Sequence, residues 1–236
     1  MDNFTLILDI NSLDTRISKH LSIIEEERKR LSFLNKQLSI KEELKNSHEE
    51  LLKEQSKSIV ELEKSLDQTD REISRSNEAL KNVTTAQQEE AVQKELSKLI
   101  PQKDTLEEQI FELLENLDQV KSDINEAEKF ISGLIETIDE VKVELMELTS
   151  KEEAEIKKLE INVSGIFEEI EMPLKEIFEK TRSKHRFNSP VTFLQGLSCS
   201  KCRFQISRSD ADQINSNDGY AICSSCGRLL IAHKHF

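Results

Sequence analysis

The chain has 236 residues, of which 33% are charged and only 5% aromatic, with no Trp, five Gly and three Pro. That is too polar, and too poor in turn formers, for one large globular core, and it points to long helices. The formal net charge is −13, but from Arg186 onward six Lys and Arg face three Asp, a net +3 that leaves about −16 for the residues before it. An acidic body with a basic end could meet nucleic acid through that end alone.

The opening Met-Asp-Asn-Phe-Thr has neither a basic n-region nor a long apolar run, so no secretory signal is expected. No stretch approaches the ~18 apolar residues of a membrane helix. The first helix is expected to begin near Phe4. Every seventh residue from Ile10 to Leu80 is apolar except Lys45. The companion row is mixed, with His20, Glu27, Lys41, His48 and Gln55 among its members, so this helix reads as the partner of a stronger one. It is also the arm on which a third helix or a client would dock.

Lys81-Asn82-Val83-Thr84-Thr85-Ala86-Gln87-Gln88 carries a stop and a restart. Asn82 suits a left-handed helix end, and Thr84 or Thr85 with Gln three residues on makes a capping box. A short connection between two long helices favours antiparallel neighbours. The alternative is one uninterrupted helix dimerising in parallel. The second helix is the stronger arm. From Val92 to Leu148 every seventh residue is apolar, and the interleaved row from Leu96 to Leu145 is broken only by Lys103. Spacings of three and four in alternation define a coiled-coil seam with a left-handed supercoil.

Pro101 keeps the phase on both sides and predicts a kink, and Gly133 is a weaker spot. After Leu148 the pattern slips onto Glu152 and Glu155 and resumes at Ile156, Leu159, Val163, Ile166 and Ile170, as after a four-residue insertion. Glu171-Met172-Pro173 ends the helix or leaves a last short one, Leu174 to Arg182, and Arg182 to Pro190 reads as a basic linker. The predicted architecture is mostly α: a long antiparallel coiled-coil hairpin over 1–185, with its turn near 82–87, then a small β domain over 186–236.

That small domain holds all four cysteines, as Cys199-Ser-Lys-Cys202 and Cys223-Ser-Ser-Cys226. Two thiolates three residues apart in a tight turn converge on one centre, and two such turns complete a tetrahedral S₄ site suited to zinc, or less often iron. Disulfides or redox thiols are the competing reading. Four ligands leave no open position, so one structural Zn²⁺ is expected to fold the domain. Short strands are predicted at Val191–Leu194, Arg203–Ile206, Tyr220–Ile222 and Leu229–Ala232, with a turn at Asn217–Gly219: a zinc ribbon. His233 and His235 are read as solvent-exposed, and His20 and His48 as packing residues. There is no nucleophile elbow, phosphate loop or paired His/carboxylate motif, so no enzymatic activity is expected.

Four segments carry a family resemblance. Ile10-Asn-Ser-Leu-Asp14-Thr-Arg-Ile17, Leu106-Glu-Glu-Gln-Ile-Phe-Glu-Leu-Leu-Glu115, Phe178-Glu-Lys-Thr-Arg182 and Cys223-Ser-Ser-Cys-Gly-Arg-Leu-Leu230 are similar to the characteristic stretches of a bacterial family. Its members are coiled-coil hairpins with a C-terminal C4-type zinc ribbon. Departures lie at Ser200-Lys201, at Ser224 and at Ile231, and they leave the metal site intact. The best-described members serve flagellar or type III secretion systems and bind sigma-54, so the resemblance implies an adaptor or chaperone with those partners. The paired cysteines suit a reducing compartment, so a cytoplasmic protein is expected, as a monomer or weak dimer. The residues themselves leave a second reading open. Arg182, Lys184, Arg186, Lys201, Arg203, Arg208 and Arg228 could form a face for a protein partner or for RNA or DNA.

Overall fold

The computed structural model describes residues 2–216 and 219–235. Two long helices dominate it: α1, Asn3–Lys81, and α2, Ala86–Glu168. They are joined at residues 82–85 and form a coiled-coil hairpin. The turn forms where the stop signal predicts, but Asn82 does not take the left-handed conformation expected of it, which among the described non-glycine residues is found at Ser189 and Arg203. Asn82 donates its backbone N–H to Ala79 O and its side-chain amide to Glu78 O, and the Thr85 hydroxyl accepts from the N–H of Gln88. α2 runs through Pro101 without a break. A short α3, Leu174–His185, follows, and then a four-stranded sheet of β1 (Val191–Gln195), β2 (Ser198–Cys199), β3 (Tyr220–Ile222) and β4 (Leu229–Ile231), with α4 (Arg208–Asn215) between β2 and β3. Among the described residues no helix is long and apolar enough to cross a membrane.

The chain divides into two compact units. In Ser32–Glu140, α1 and α2 meet along the predicted seam, and the two residues that interrupt it are turned into ion pairs. Lys45 Nζ lies 2.8 Å from Glu128, and Lys103 Nζ lies 2.7 Å from Asp70. Each lysine lays its stem along the seam and brings its charge out to a carboxylate on the opposite helix. Thr69 and Ser76, on the poor companion row, are small enough to be buried; the Thr69 hydroxyl donates to Ser65 O.

The other unit is Met1–Leu31 with Val141–Phe236. Here the slip in the α2 pattern has a physical answer. Glu152 is buried and pairs with Nδ1 of His20, so a polar residue on each helix meets the other in the seam. Beyond it Leu159, Val163 and Ile170 are buried as the resumed phase requires. They share one core with Phe4, Ile7, Ile10 and Ile17 of α1, with Leu174 and Phe178 of α3, and with Val191, Leu229 and Ile231 of the sheet.

The sheet order is β2-β1-β4-β3, with β1 parallel to β4 and the other pairs antiparallel. Side chains alternate across a strand. Leu229 and Ile231 therefore join the helical core, while Leu230, with Leu194 of β1, faces a second cluster containing Ala211 and Ile214 of α4 together with Cys199 and Cys223.

Three expectations are corrected. Arg203–Ile206 is not a strand; only Gln205 makes a bridge, to Ser198. The backbone at Arg203 and Phe204 is used to close the first cysteine turn instead. α4, unforeseen, occupies part of the span between the cysteine pairs. His235 is not solvated: its ring packs 4.5 Å from that of Phe4, and its Nδ1 lies 3.3 Å from Asp2. Of the predicted turn at Asn217–Gly219, Asn217 and Asp218 lie outside the described residues.

Candidate metal centre

The two cysteine pairs sit on turns of the same construction. In the first, the N–H of Arg203 donates to Cys199 O (2.9 Å) and that of Cys199 to Phe204 O (3.0 Å). In the second, Gly227 donates to Cys223 O (2.8 Å) and Cys223 to Arg228 O (2.9 Å). The residue after each pair takes the left-handed conformation, φ +60° at Arg203 and +69° at Gly227. This lets the chain reverse directly behind the second thiol. At Gly227 the residue type suits that conformation; at Arg203 a side chain is held in it at a steric cost.

The two turns bring four sulfurs together. All four Sγ atoms lie within 4.8 Å of one another, with Cys199–Cys226 at 3.9 Å and Cys202–Cys223 at 3.6 Å. A disulfide would require roughly 2.05 Å. Four sulfurs bound to one zinc at ~2.3 Å stand roughly 3.8 Å apart at the corners of a tetrahedron. The donor set and its spacing therefore fit a single tetrahedral S₄ ion.

Burial and charge divide the thiols. Cys199 and Cys223 are buried, Cys226 is half-buried and Cys202 faces solvent. The backbone N–H of Phe204 brings the Cys202 thiol down to about 7, whereas burial pushes that of Cys223 up to about 12. Without a cation the cluster would be one easily ionised thiol beside a reluctant one; a bound cation deprotonates all of them.

Neighbouring elements hold the centre in place. His185, the last residue of α3, donates from Nε2 to Cys226 O at 2.9 Å, which ties the second turn to the helices. The Thr192 and Ser200 hydroxyls lie 2.6 Å apart and tie the first turn to β1. Ser207 caps α4 by accepting from the N–H of Asp210, which sets Ala211 and Ile214 against the cysteines.

The seven basic residues separate into two groups. Arg182 grips the fully buried Asp14 with two bonds, Nε at 2.6 Å and a terminal nitrogen at 2.8 Å. Arg186 adds a third to Asp14 at 3.0 Å and reaches Glu160 at 3.1 Å. Arg228 donates to the carbonyls of Asn188 and Ser189. These three brace the structure, and the stretch expected as a basic linker is in its first part the end of α3, clamped to α1. Lys184, Lys201, Arg203 and Arg208 are exposed.

Asp14 is the residue that spacing alone does not flag, because its partner lies 168 positions away. α4 did carry a signal: Ser207-x-x-Asp210 is a capping box, and Ile206 before it packs on the same cluster as Ala211, in the manner of a hydrophobic staple.

The family model of the CT398-like coiled coil hairpin domain matches residues 10–186, three quarters of the chain. The protein belongs to the CT398-like coiled-coil hairpin family. A comparison with curated proteins finds no match. Among solved structures, the HP0958 protein of Helicobacter pylori is 15% identical, with a TM-score of 0.76 over 98% of this chain and 97% of that one. CT398 of Chlamydia trachomatis is 17% identical, with a TM-score of 0.71 over 98% of each chain. A Mycobacterium smegmatis protein is 19% identical, with a TM-score of 0.57 over 97% of this chain and 98% of that one. At such identities these likenesses show the fold. The similarity runs past the hairpin and takes in the small domain of this CT398-like protein.

Proposed function

We propose that this CT398-like protein is a non-enzymatic adaptor or chaperone of the cytoplasm. The hairpin serves as a spacer and docking arm, and the Cys199/Cys202/Cys223/Cys226 domain, folded around one Zn²⁺, serves as the recognition head. The observation that carries the reading is the four-sulfur cluster in a chain that is otherwise a long coiled coil: a closed ligand set has no position for substrate, so its ion organises a surface instead of a reaction. The resemblance carried by the four segments of sequence implies sigma-54 and components of a secretion or flagellar system as the partners; family membership itself supports the hairpin.

A pull-down from native lysate with the full chain and with a Cys223→Ser variant tests this. The full chain is expected to retain the sigma factor and the variant to lose it. Recovery of neither a sigma factor nor a secretion component ends the specific assignment. A second reading, RNA or DNA binding through the head, is favoured by the exposure of Lys184, Lys201, Arg203 and Arg208. It ranks second because Arg182, Arg186 and Arg228 are already engaged within the protein. Phosphate contacts would show as a steep loss of binding with rising salt in a mobility-shift titration.

A further inference from the structure

α1 carries a second stripe of coiled-coil spacing that α2 leaves largely open, although its Leu44 edge borders a groove lined by Ala127 and Phe130 of α2. In the unit Ser32–Glu140, α2 takes up the α1 row that includes Leu38, Lys45, Leu52 and Ile59. On a different face of the same helix, Phe33, Ile40, Leu44 and Leu51 stand 61%, 46%, 44% and 40% exposed with α2 in place. Their spacing is that of a seam. Phe33, Gln37, Ile40, Leu44, Ser47 and Leu51 follow one another at intervals of four and three, so all six point along one stripe. A solvated helix face has no need of four large apolar residues in that register.

The residues beside the stripe say what covers it. Lys36 and Glu43 occupy equivalent flanking positions one heptad apart, and both are exposed. We propose that the stripe pairs with the same stripe of a second copy of this chain, running antiparallel about a two-fold axis between Gln37 and Ile40. In that register Lys36 faces Glu43 of the second copy and Glu43 faces its Lys36, while Phe33 packs against Leu44 and Gln37 against Ile40. A parallel copy would bring Lys36 toward Lys41, since flanking positions then pair across the interface in the other sense. The antiparallel arrangement is isologous: each contact occurs twice, and the assembly closes as a dimer. Gln37 is the kind of polar seam residue that fixes register in such pairs at some expense of affinity, and Ser47 is small enough to let the helices approach.

Sedimentation of the full chain at high micromolar concentration tests the proposal. A reversible dimer is expected. Phe33→Glu and Ile40→Glu, at positions 61% and 46% exposed, should give monomers whose helical circular dichroism and melting match the parent. Lys36→Glu alone and Glu43→Lys alone each create two like-charged contacts and should weaken association by roughly fivefold at low salt. The double exchange restores both attractions and should recover the parent affinity. A chain that stays monomeric at that concentration overturns the proposal, as does a dimer indifferent to Phe33→Glu and Ile40→Glu. Failure of the double exchange to rescue overturns the antiparallel register.

Discussion

At the scale of single residues, the largest single commitment is Asp14. Its carboxylate is fully buried and is held by Arg182 and Arg186. Removing one partner of such a pair leaves charge without compensation and costs about 3 kcal/mol or more. Asp14→Ala should therefore lower the denaturation midpoint substantially, while Arg186→Gln, which leaves the two Arg182 bonds in place, should lower it less. Equal effects would mean that Arg186 alone carries the pairing and that the two Arg182 bonds add little. The cysteine turns make a second test. Arg203 and Gly227 share a left-handed conformation, yet only one of them is glycine. Arg203→Gly should stabilise the small domain by about 1 kcal/mol, and Gly227→Ala should destabilise it by a similar amount. A methyl at 227 would meet nothing nearer than His185 Nε2 at 3.8 Å, so crowding cannot account for the loss; thermal melts of the zinc-loaded proteins read both.

At the scale of elements, the seams were legible because heptad spacing is a direct image of the packing. The rows from Ile10 and from Val92, the turn at 82–85 and the cysteine turns all follow from spacing or capping chemistry. What spacing cannot show is how a polar seam residue is satisfied, since the answer sits on the other helix. Lys45 and Lys103 are interruptions in sequence and ion pairs in space, and Glu152 reads as a slip until His20 is placed opposite it. The strand expected at 203–206 failed for a related reason: the backbone groups a strand would offer are spent closing the first cysteine turn. The cap and the seam can each be tested by one substitution. Ser207→Ala removes the α4 cap and should cost about 1 kcal/mol, seen as earlier melting of the small domain. Lys45→Leu completes the apolar row and should raise the melting temperature of the hairpin; a decrease would show that the pair with Glu128 outweighs the burial of a leucine there.

At the scale of the whole molecule, the two halves of the sequence signal differ in kind. The hairpin is specified redundantly, by dozens of small apolar contacts, and survives local polar exceptions. The small domain rests on four sulfurs and on two thin hydrophobic faces of one sheet, so a bound ion is expected to contribute much of its stability. Chelation should abolish its fixed tertiary structure while most of the helical signal persists, since α1 and α2 alone hold 79 and 83 residues. Metal occupancy should fall as pH falls, because protons compete for the thiolates. The sequence could not reveal that Val191, Leu229 and Ile231 complete a core begun by Phe4 and Ile7, because sheet faces are assigned only once the strand order is known. The proposed role is recognition of the partner by a zinc-built head. It is tested most directly by titrating purified sigma-54 against the chain as isolated, stripped of metal, and reloaded with zinc. One zinc per chain, binding by the isolated and reloaded forms, and loss of binding on stripping are the predicted results; binding undiminished by stripping, or none in any form, would overturn the proposed role.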